Sequence, residues 1–240
     1  MKSLLAVLLC SVIFASTTGM AEAVAPLKMV VYGGTGWIGR GIVEEALHRG
    51  HIVTVAVREP SEMTEHRDQL HVVIGDVLDA ARVTRTIAGA DVVVCAVSFR
   101  TPTPDFAAYR RAAESLVGAL RSLQPRPPHL IIVGGASSLE NSQGVLVIDT
   151  FPPAKRCCEV LGQKEALDYY RTVRDVPWTY FSPALHIAPG ARTGKFRLGG
   201  DQLIVNAKGD SRISMEDYAM AVIDEAEKPA HLRQRFTIGY

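Results

Sequence analysis

The sequence predicts an α/β protein, a doubly wound parallel sheet with a small C-terminal lobe. Three observations predict it. Short apolar runs alternate with amphipathic stretches, the pattern of strands buried on both faces with helices between them. Gly33, Gly36 and Gly39 stand at G-x-x-G-x-x-G, between the first apolar run and the first amphipathic stretch. Beyond residue 190 the alternation gives way to "GARTGKFRLGGDQLIVNAKGDSRIS" (190–214), rich in glycine and charge.

The elements follow in order. "KMVVY" (28–32) is a short apolar strand. "WIGRGIVEEALHRG" (37–50) places Ile38, Ile42 and Ala46 on one helical face and ends at Gly50. "HIVTVAV" (51–57) and "HVVIGDV" (71–77) are β-rich. "DAARVTRTIAG" (79–89) is a helix capped by Asp79, with Val83 and Ile87 four apart and a glycine stop. "DVVVCAV" (91–97) is a strand, and "DFAAYRRAAESLVGALRSL" (105–123) a helix with Tyr109, Ala112, Leu116, Leu120 and Leu123 on one stripe. "HLIIVGG" (129–135), "CEVLGQKEALDYYRTV" (158–173) and "PWTYFS" (177–182) give strand, helix and strand. Residues 190–214 read as loops and a small hairpin outside the main sheet. "SMED" (214–217) is a capping box opening a helix with Ala219, Val222, Ile223 and Ala226 on one side, and "RFTIGY" (235–240) is a closing strand.

The chain has 240 residues, 48% apolar and 21% charged, with net charge +1. That suits one domain and, with no basic block, excludes nucleic acid as the expected partner. No cluster with metal-ligand spacing is present in the sequence. Residues 1–23 read as a cleaved export leader: Lys2, an apolar run from Leu4 to Ala15, and the small-x-small Ala21-Glu22-Ala23. The mature chain would be 24–240, with 190–240 as a small substrate lobe, in the periplasm or secreted. The alternative is a cytoplasmic protein starting at Met29. The apolar run is short for a bilayer span. After cleavage Cys95, Cys157 and Cys158 remain, an odd number that frames no disulfide set. Cys95, in an apolar run, reads as a small buried hydrophobe.

A glycine triplet between strand and helix lets the backbone turn tightly, approach a pyrophosphate and pack helix on strand, as in the Rossmann fold. The helix N-terminus offers free N–H groups to the phosphates. Thr35, Trp37, Ile38 and Arg40 belong to the same loop and first turn. An NAD site wants an acidic residue roughly 20 positions on. Here "VTVAVREP" carries Arg58 and no acid before it. Arg58, seconded by Arg40, suits a 2′-phosphate, so NADP(H) is expected over NAD(H). Asp76 and Val77 after the third strand are placed to flank an adenine, although Asp76 could simply cap a turn. Ligands of open α/β sheets lie across the carboxyl ends of the strands. That adds Ala96, Val97, Ser98, Gly134, Gly135, Ala136 and, after the sixth strand, Pro183.

"GGTGWIG", "GDVLD", "IVGGASSLE", "WTYFSPA", "RTGKFRLGGDQL", "SRISMEDYA" and "EKPAHLRQRFTIGY" together resemble the NADH-flavin reductase family. These are atypical members of the short-chain dehydrogenase superfamily, related to the biliverdin/flavin reductases. The resemblance covers residues 28–240. It implies a Rossmann fold, a nicotinamide dinucleotide, and reduction of a flavin or similar conjugated acceptor. The leader is a departure, because the family's members are expected to begin near Met29.

The wider superfamily uses Tyr-x-x-x-Lys after the fifth strand. Here Tyr169 has Val173 four on and Tyr170 has Arg174, so neither fits. Hydride transfer between two aligned rings needs no such acid. Ser137, where the superfamily places a substrate-side serine, and Lys164 on the next helix remain as weak catalytic candidates beside plain structural roles. His186 and the cationic "RTGKFRLGG" (192–200) are candidates for the acceptor side or ordinary surface features. The expected function is an NADP(H)-dependent reductase of FMN, FAD or a similar acceptor, monomeric or homodimeric. The alternatives are a non-catalytic dinucleotide sensor and an NAD(P)-dependent epimerase-like enzyme.

Overall fold

A computed structural model describes residues 25–59, 68–99, 105–153 and 157–240. The expected leader, 1–23, lies outside them. Strands β1 (Lys28–Tyr32), β2 (Ile52–Val57), β3 (Leu70–Ile74), β4 (Val92–Cys95), β5 (His129–Val133) and β6 (Trp178–Ser182) alternate with helices α1 (Trp37–His48), α2 (Ala80–Ile87), α3 (Ala107–Ser122) and α4 (Cys158–Thr172). Short strands β7 (His186–Ala188), β8 (Arg197–Gly199) and β9 (Arg212–Ser214) follow, then helix α5 (Met215–Glu227) and strand β10 (Gln234–Gly239).

The main sheet runs β3-β2-β1-β4-β5-β6-β10-β8. Every neighbouring pair is parallel except β10 with β8. The chain winds outward through β2 and β3, then returns to β4 on the other side of β1, so the switch point lies between β1 and β4. Alternate residues of β1 feed opposite cores. Met29 and Val31 pack with α1 and α5, while Val30 and Tyr32 pack with α2, α3 and α4. Cover on both faces explains why β1, β2, β4, β5 and β6 are apolar along most of their length, while β3, at the edge, is exposed beyond Leu70.

Local signals in the sequence act as expected. The Asp79 carboxylate accepts the Arg82 N–H at 3.0 Å and caps α2. Ser214 Oγ accepts the Asp217 N–H at 3.0 Å and caps α5. The reciprocal half of the expected capping box is missing, because the Asp217 carboxylate is turned to Thr193, Gly194 and Tyr240. Tyr109, Ala112, Leu116 and Leu120 of α3, and Ala219, Val222, Ile223 and Ala226 of α5, are buried.

The last third differs from the expected outlying hairpin. β8 is an edge strand of the main sheet, antiparallel to β10. β7 and β9 form a separate parallel pair. β10 lies between β6 and β8, and Phe236 stacks on Phe181 of β6 with ring centroids 3.8 Å apart. Long-range pairing, which residues 190–214 cannot announce locally, ties this segment to the sheet.

Candidate functional site

Two clefts open at the carboxyl edge of the sheet, one on each side of the glycine loop. The first, about 530 Å³, runs over the ends of β1, β2 and β3 and is lined by Arg58, Asp76 and Val77 among others. The second, about 660 Å³, runs over the ends of β5 and β6 and is lined by Gly134, Gly135, Ser137 and Pro183 among others. Both include Gly36, Ala96, Val97 and Ser98, so the glycine loop and the end of β4 form their common waist.

The three glycines have separate physical reasons. Gly33 adopts φ +79°, and a Cβ there would come within 2.5 Å of the Ala96 carbonyl oxygen. A Cβ on Gly39 would meet the Gly33 oxygen at 2.0 Å. Both are required by the turn itself. A Cβ on Gly36 meets nothing closer than 3.4 Å, so the protein alone does not demand glycine there. Gly36 faces the waist, precedes α1, and leaves the first turn's N–H groups open to a group of opposite charge. Thr35 lines the first cleft, and Trp37 and Ile38 line the second.

The other expected residues divide. Arg58 is exposed on the first cleft, whereas Arg40 is exposed on α1 and lines neither. Asp76 does both things considered for it: its Oδ1 accepts the Leu78 N–H at 2.9 Å, and it lines the cleft. Gly134 and Gly135 line the second cleft but answer first to neighbours in the protein. A Cβ would come within 2.0 Å of the Tyr180 ring at Gly134 and of Gln163 Oε1 at Gly135. Ser137 lines the cleft; Ser138 is turned inward, its Oγ donating to the Gly135 carbonyl at 3.4 Å.

Lys164 is not brought to either cleft. Its ammonium donates to Asp168 Oδ2 at 2.7 Å, and α4 presents Glu159, Val160 and Gln163 instead. His186 is exposed on β7 and does not line the cleft, although Leu185 and Ile187 do. Two of the three cations of 192–200 have other partners. Arg192 donates to both oxygens of Glu45 at 2.7 and 2.9 Å, and Arg197 donates to the Val205 carbonyl at 2.7 Å. Of the segment 190–240, Met215 lines the second cleft.

Electrostatics narrow the chemistry. Burial pushes the Cys95 thiol up to about 11, so it sits protonated beneath the waist. Burial pushes the Tyr32 phenol, at the first cleft, up to about 12. Tyr170 is buried in the core and raised well above its ordinary value by burial. Tyr169 lies under the Arg110 guanidinium, 4.1 Å from ring centroid to Cζ. Neither tyrosine of α4 is placed as an acid. Among the described residues that line the second cleft, Glu159 is the one carboxylate or cation, and its Oε1 accepts from Ser98 Oγ at 3.2 Å. Ser98, expected by its place at the end of β4, lines both clefts, whereas Glu159 and Gln163 are absent from the sequence expectation. The glycine at 135, hollowed for Gln163, was the available signal.

A family model described as NAD(P)H-binding matches residues 33–229. The chain belongs to that family. Three solved structures carry the comparison further. A Burkholderia pseudomallei protein described as exported is 38% identical, with TM-score 0.78, covering 89% of this chain and 100% of that one. A Bacteroides thetaiotaomicron protein described as an epimerase is 35% identical, with TM-score 0.78, covering 90% and 98%. A Streptococcus pneumoniae protein described as an NADH-flavin reductase is 31% identical, with TM-score 0.74, covering 89% and 99%. Two of the three descriptions name a chemistry, and those two differ while the fold is shared, so the family establishes the NAD(P)H-binding domain and leaves the reaction to the site. No helix among the described residues is long and apolar enough to cross a membrane. Among them, no three His, Cys, Asp or Glu side chains group as a metal site.

Proposed function

We propose that the protein is an NADP(H)-dependent reductase that passes hydride to FMN, FAD or a similar conjugated acceptor. The observation that carries this reading is the pair of clefts joined at Gly36, the second of which presents a single carboxylate and no tyrosine acid among its described lining residues. An alcohol dehydrogenase or epimerase needs a placed acid–base group. Hydride transfer between stacked rings needs orientation and exclusion of water.

In this reading the adenosine half occupies the first cleft, with Arg58 at the 2′-phosphate and Asp76 and Val77 beside the base. The pyrophosphate lies against the main chain of Gly33–Gly39, with the Thr35 hydroxyl and the main-chain N–H groups at the N-terminus of α1 as donors, which leaves the Trp37 side chain to the second cleft. The nicotinamide enters the second cleft past Ala96 and Val97, toward Gly134, Gly135 and Pro183. Ser137 offers a hydroxyl to the carboxamide or the acceptor. Lys164 and Arg40 take no part. The likeness to the S. pneumoniae protein supports the acceptor class, and the likeness to the B. pseudomallei protein supports export of residues 24–240.

The deciding experiment is steady-state NADPH oxidation with FMN, FAD, riboflavin and quinones as acceptors. Turnover with at least one isoalloxazine or quinone is expected. Tight NADPH binding without turnover on any of them overturns the reductase and leaves a dinucleotide sensor. Export is checked separately, by sequencing the N-terminus of protein recovered outside the cytoplasm, where Val24 is expected first.

A further inference from the structure

We infer that Trp37 is the stacking platform of the acceptor, and that the second cleft therefore takes a flat conjugated ring in preference to a small flexible carbonyl compound. The inference rests on the reductase reading and sharpens it.

Trp37 is 79% exposed, although it belongs to the largest apolar residue type in the chain. It is absent from both hydrophobic cores, and as the first residue of α1 it makes no capping bond that would require an aromatic. The other tryptophan shows what this chain does with an indole used for folding: Trp178 is 1% exposed, and its Nε1 donates to the Val173 carbonyl at 3.0 Å. A lone exposed aromatic would mean little. Trp37, however, lines the same cleft as Leu185, itself 37% exposed on the turn after β6. Two large apolar side chains from separate elements are thus held in water at one cleft, next to the glycine loop.

Other groups lining that cleft complement the edge of such a ring. Ser98 Oγ, bonded to Glu159 Oε1 at 3.2 Å, Ser137 and Gln163 supply donors and acceptors. Isoalloxazines and quinones combine an apolar face with N–H and C=O groups at the rim. An indole gains most from a partner of that shape, through offset stacking over a large shared area.

The test uses two readouts on the purified protein and its Trp37→Ala, Trp37→Leu and Trp37→Phe variants. The first is riboflavin binding, followed by riboflavin emission with saturating NADP+ present so that no turnover occurs. The second is the dissociation constant for NADPH, followed by its own emission. Trp37→Ala and Trp37→Leu are expected to weaken riboflavin about 10-fold, Trp37→Phe to stay within about 3-fold, and all three to hold NADPH within about 2-fold. Unchanged riboflavin binding in Trp37→Ala overturns the platform. So does a loss of NADPH affinity equal to the loss of riboflavin, which would put the indole on the cofactor. Because binding is read without turnover, an inactive protein that still binds riboflavin through Trp37 would refute the reductase and keep the platform.

Discussion

The Gly33 carbonyl oxygen lies where a Cβ on Gly39 would have to be, at a separation of 2.0 Å. The turn from β1 and the first turn of α1 are closed against each other at this point, and Gly33 itself sits at φ +79° against Ala96. Gly36, between them, has room. The three positions should therefore fail differently. Gly33→Ala and Gly39→Ala are expected to cost roughly 2–4 kcal/mol of stability, from a left-handed residue and an unrelieved clash. Gly36→Ala should melt within a degree or two of the parent and lose at least about 10-fold in NADPH affinity, since its missing Cβ serves the ligand side. Denaturation with parallel NADPH titration checks this. A Gly36→Ala protein that binds NADPH normally would remove the pyrophosphate from this loop.

Arg58 lines the first cleft and Arg40 does not, so coenzyme preference should rest on one residue. Arg58→Glu is expected to weaken NADPH by roughly 10- to 100-fold, the worth of one charge-assisted phosphate contact, and to change NADH by less than about 3-fold. Arg40→Glu should leave the ratio alone. Equal losses for both dinucleotides in Arg58→Glu would mean that the guanidinium does not read the 2′-phosphate.

Much of this was legible in the sequence because the signals were local. Strands β1, β2 and β4 to β6 are largely apolar runs buried on both faces, β3 is an apolar run exposed beyond Leu70 at the sheet edge, and α2 starts where Asp79 caps it. The cleft residues at strand ends follow from the rule that parallel sheets bind at their carboxyl edge. The failures lie where position depends on distant pairing or on helical phase. β8 is three residues long, and nothing in Arg197–Gly199 announces that Leu198 will pair with Ile238. The place of Lys164 on α4 suggests the cleft, yet the face turned to it is Glu159, Val160 and Gln163, at i, i+1 and i+4. One residue further on, a helix has rotated by about 100°, and Lys164 meets Asp168 instead.

His129 gives the fold an acid-sensitive point. Its Nε2 lies 2.8 Å from Thr179 Oγ1, whose single proton has Glu225 Oε1 and the His231 carbonyl within reach at 3.2 and 3.0 Å. The buried Nδ1 has no partner among the described residues, so a second proton on the ring would find no acceptor there. Burial lowers the folded-state pKa to about 4. Above an unfolded value of about 6.5 both states are neutral and His129 contributes nothing to the pH dependence. As pH falls from there toward 4 the unfolded chain takes up a proton that the fold refuses, and stability drops by roughly 3 kcal/mol. His129→Gln should lose this limb between pH 6.5 and 4, whatever it costs at pH 7. Urea denaturation across that range decides it; an unchanged slope in the variant would mean the limb belongs to another group.

Asp217 should titrate lower still. It is buried at the start of α5, and accepts from Thr193 N–H at 2.7 Å, Thr193 Oγ1 at 2.6 Å, Gly194 N–H at 2.9 Å and the Tyr240 hydroxyl at 2.8 Å. Burial alone would raise its pKa, but these donors outweigh burial and hold it below the ordinary carboxylate range. Its stabilisation is present above the ordinary value and is lost as pH falls through the folded one, below the window of His129. Asp217→Asn replaces one acceptor oxygen by a donor that faces donors already in place. A cost of about 3 kcal/mol is expected, or roughly 6–12 °C in melting temperature for a chain of this size. Met215, two residues earlier on the same turn, lines the second cleft, so loosening this turn should raise the acceptor KM more than it changes NADPH affinity. Thermal melts and acceptor kinetics on Asp217→Asn test both parts. A variant as stable as the parent at pH 7 would show that the four contacts do not act together.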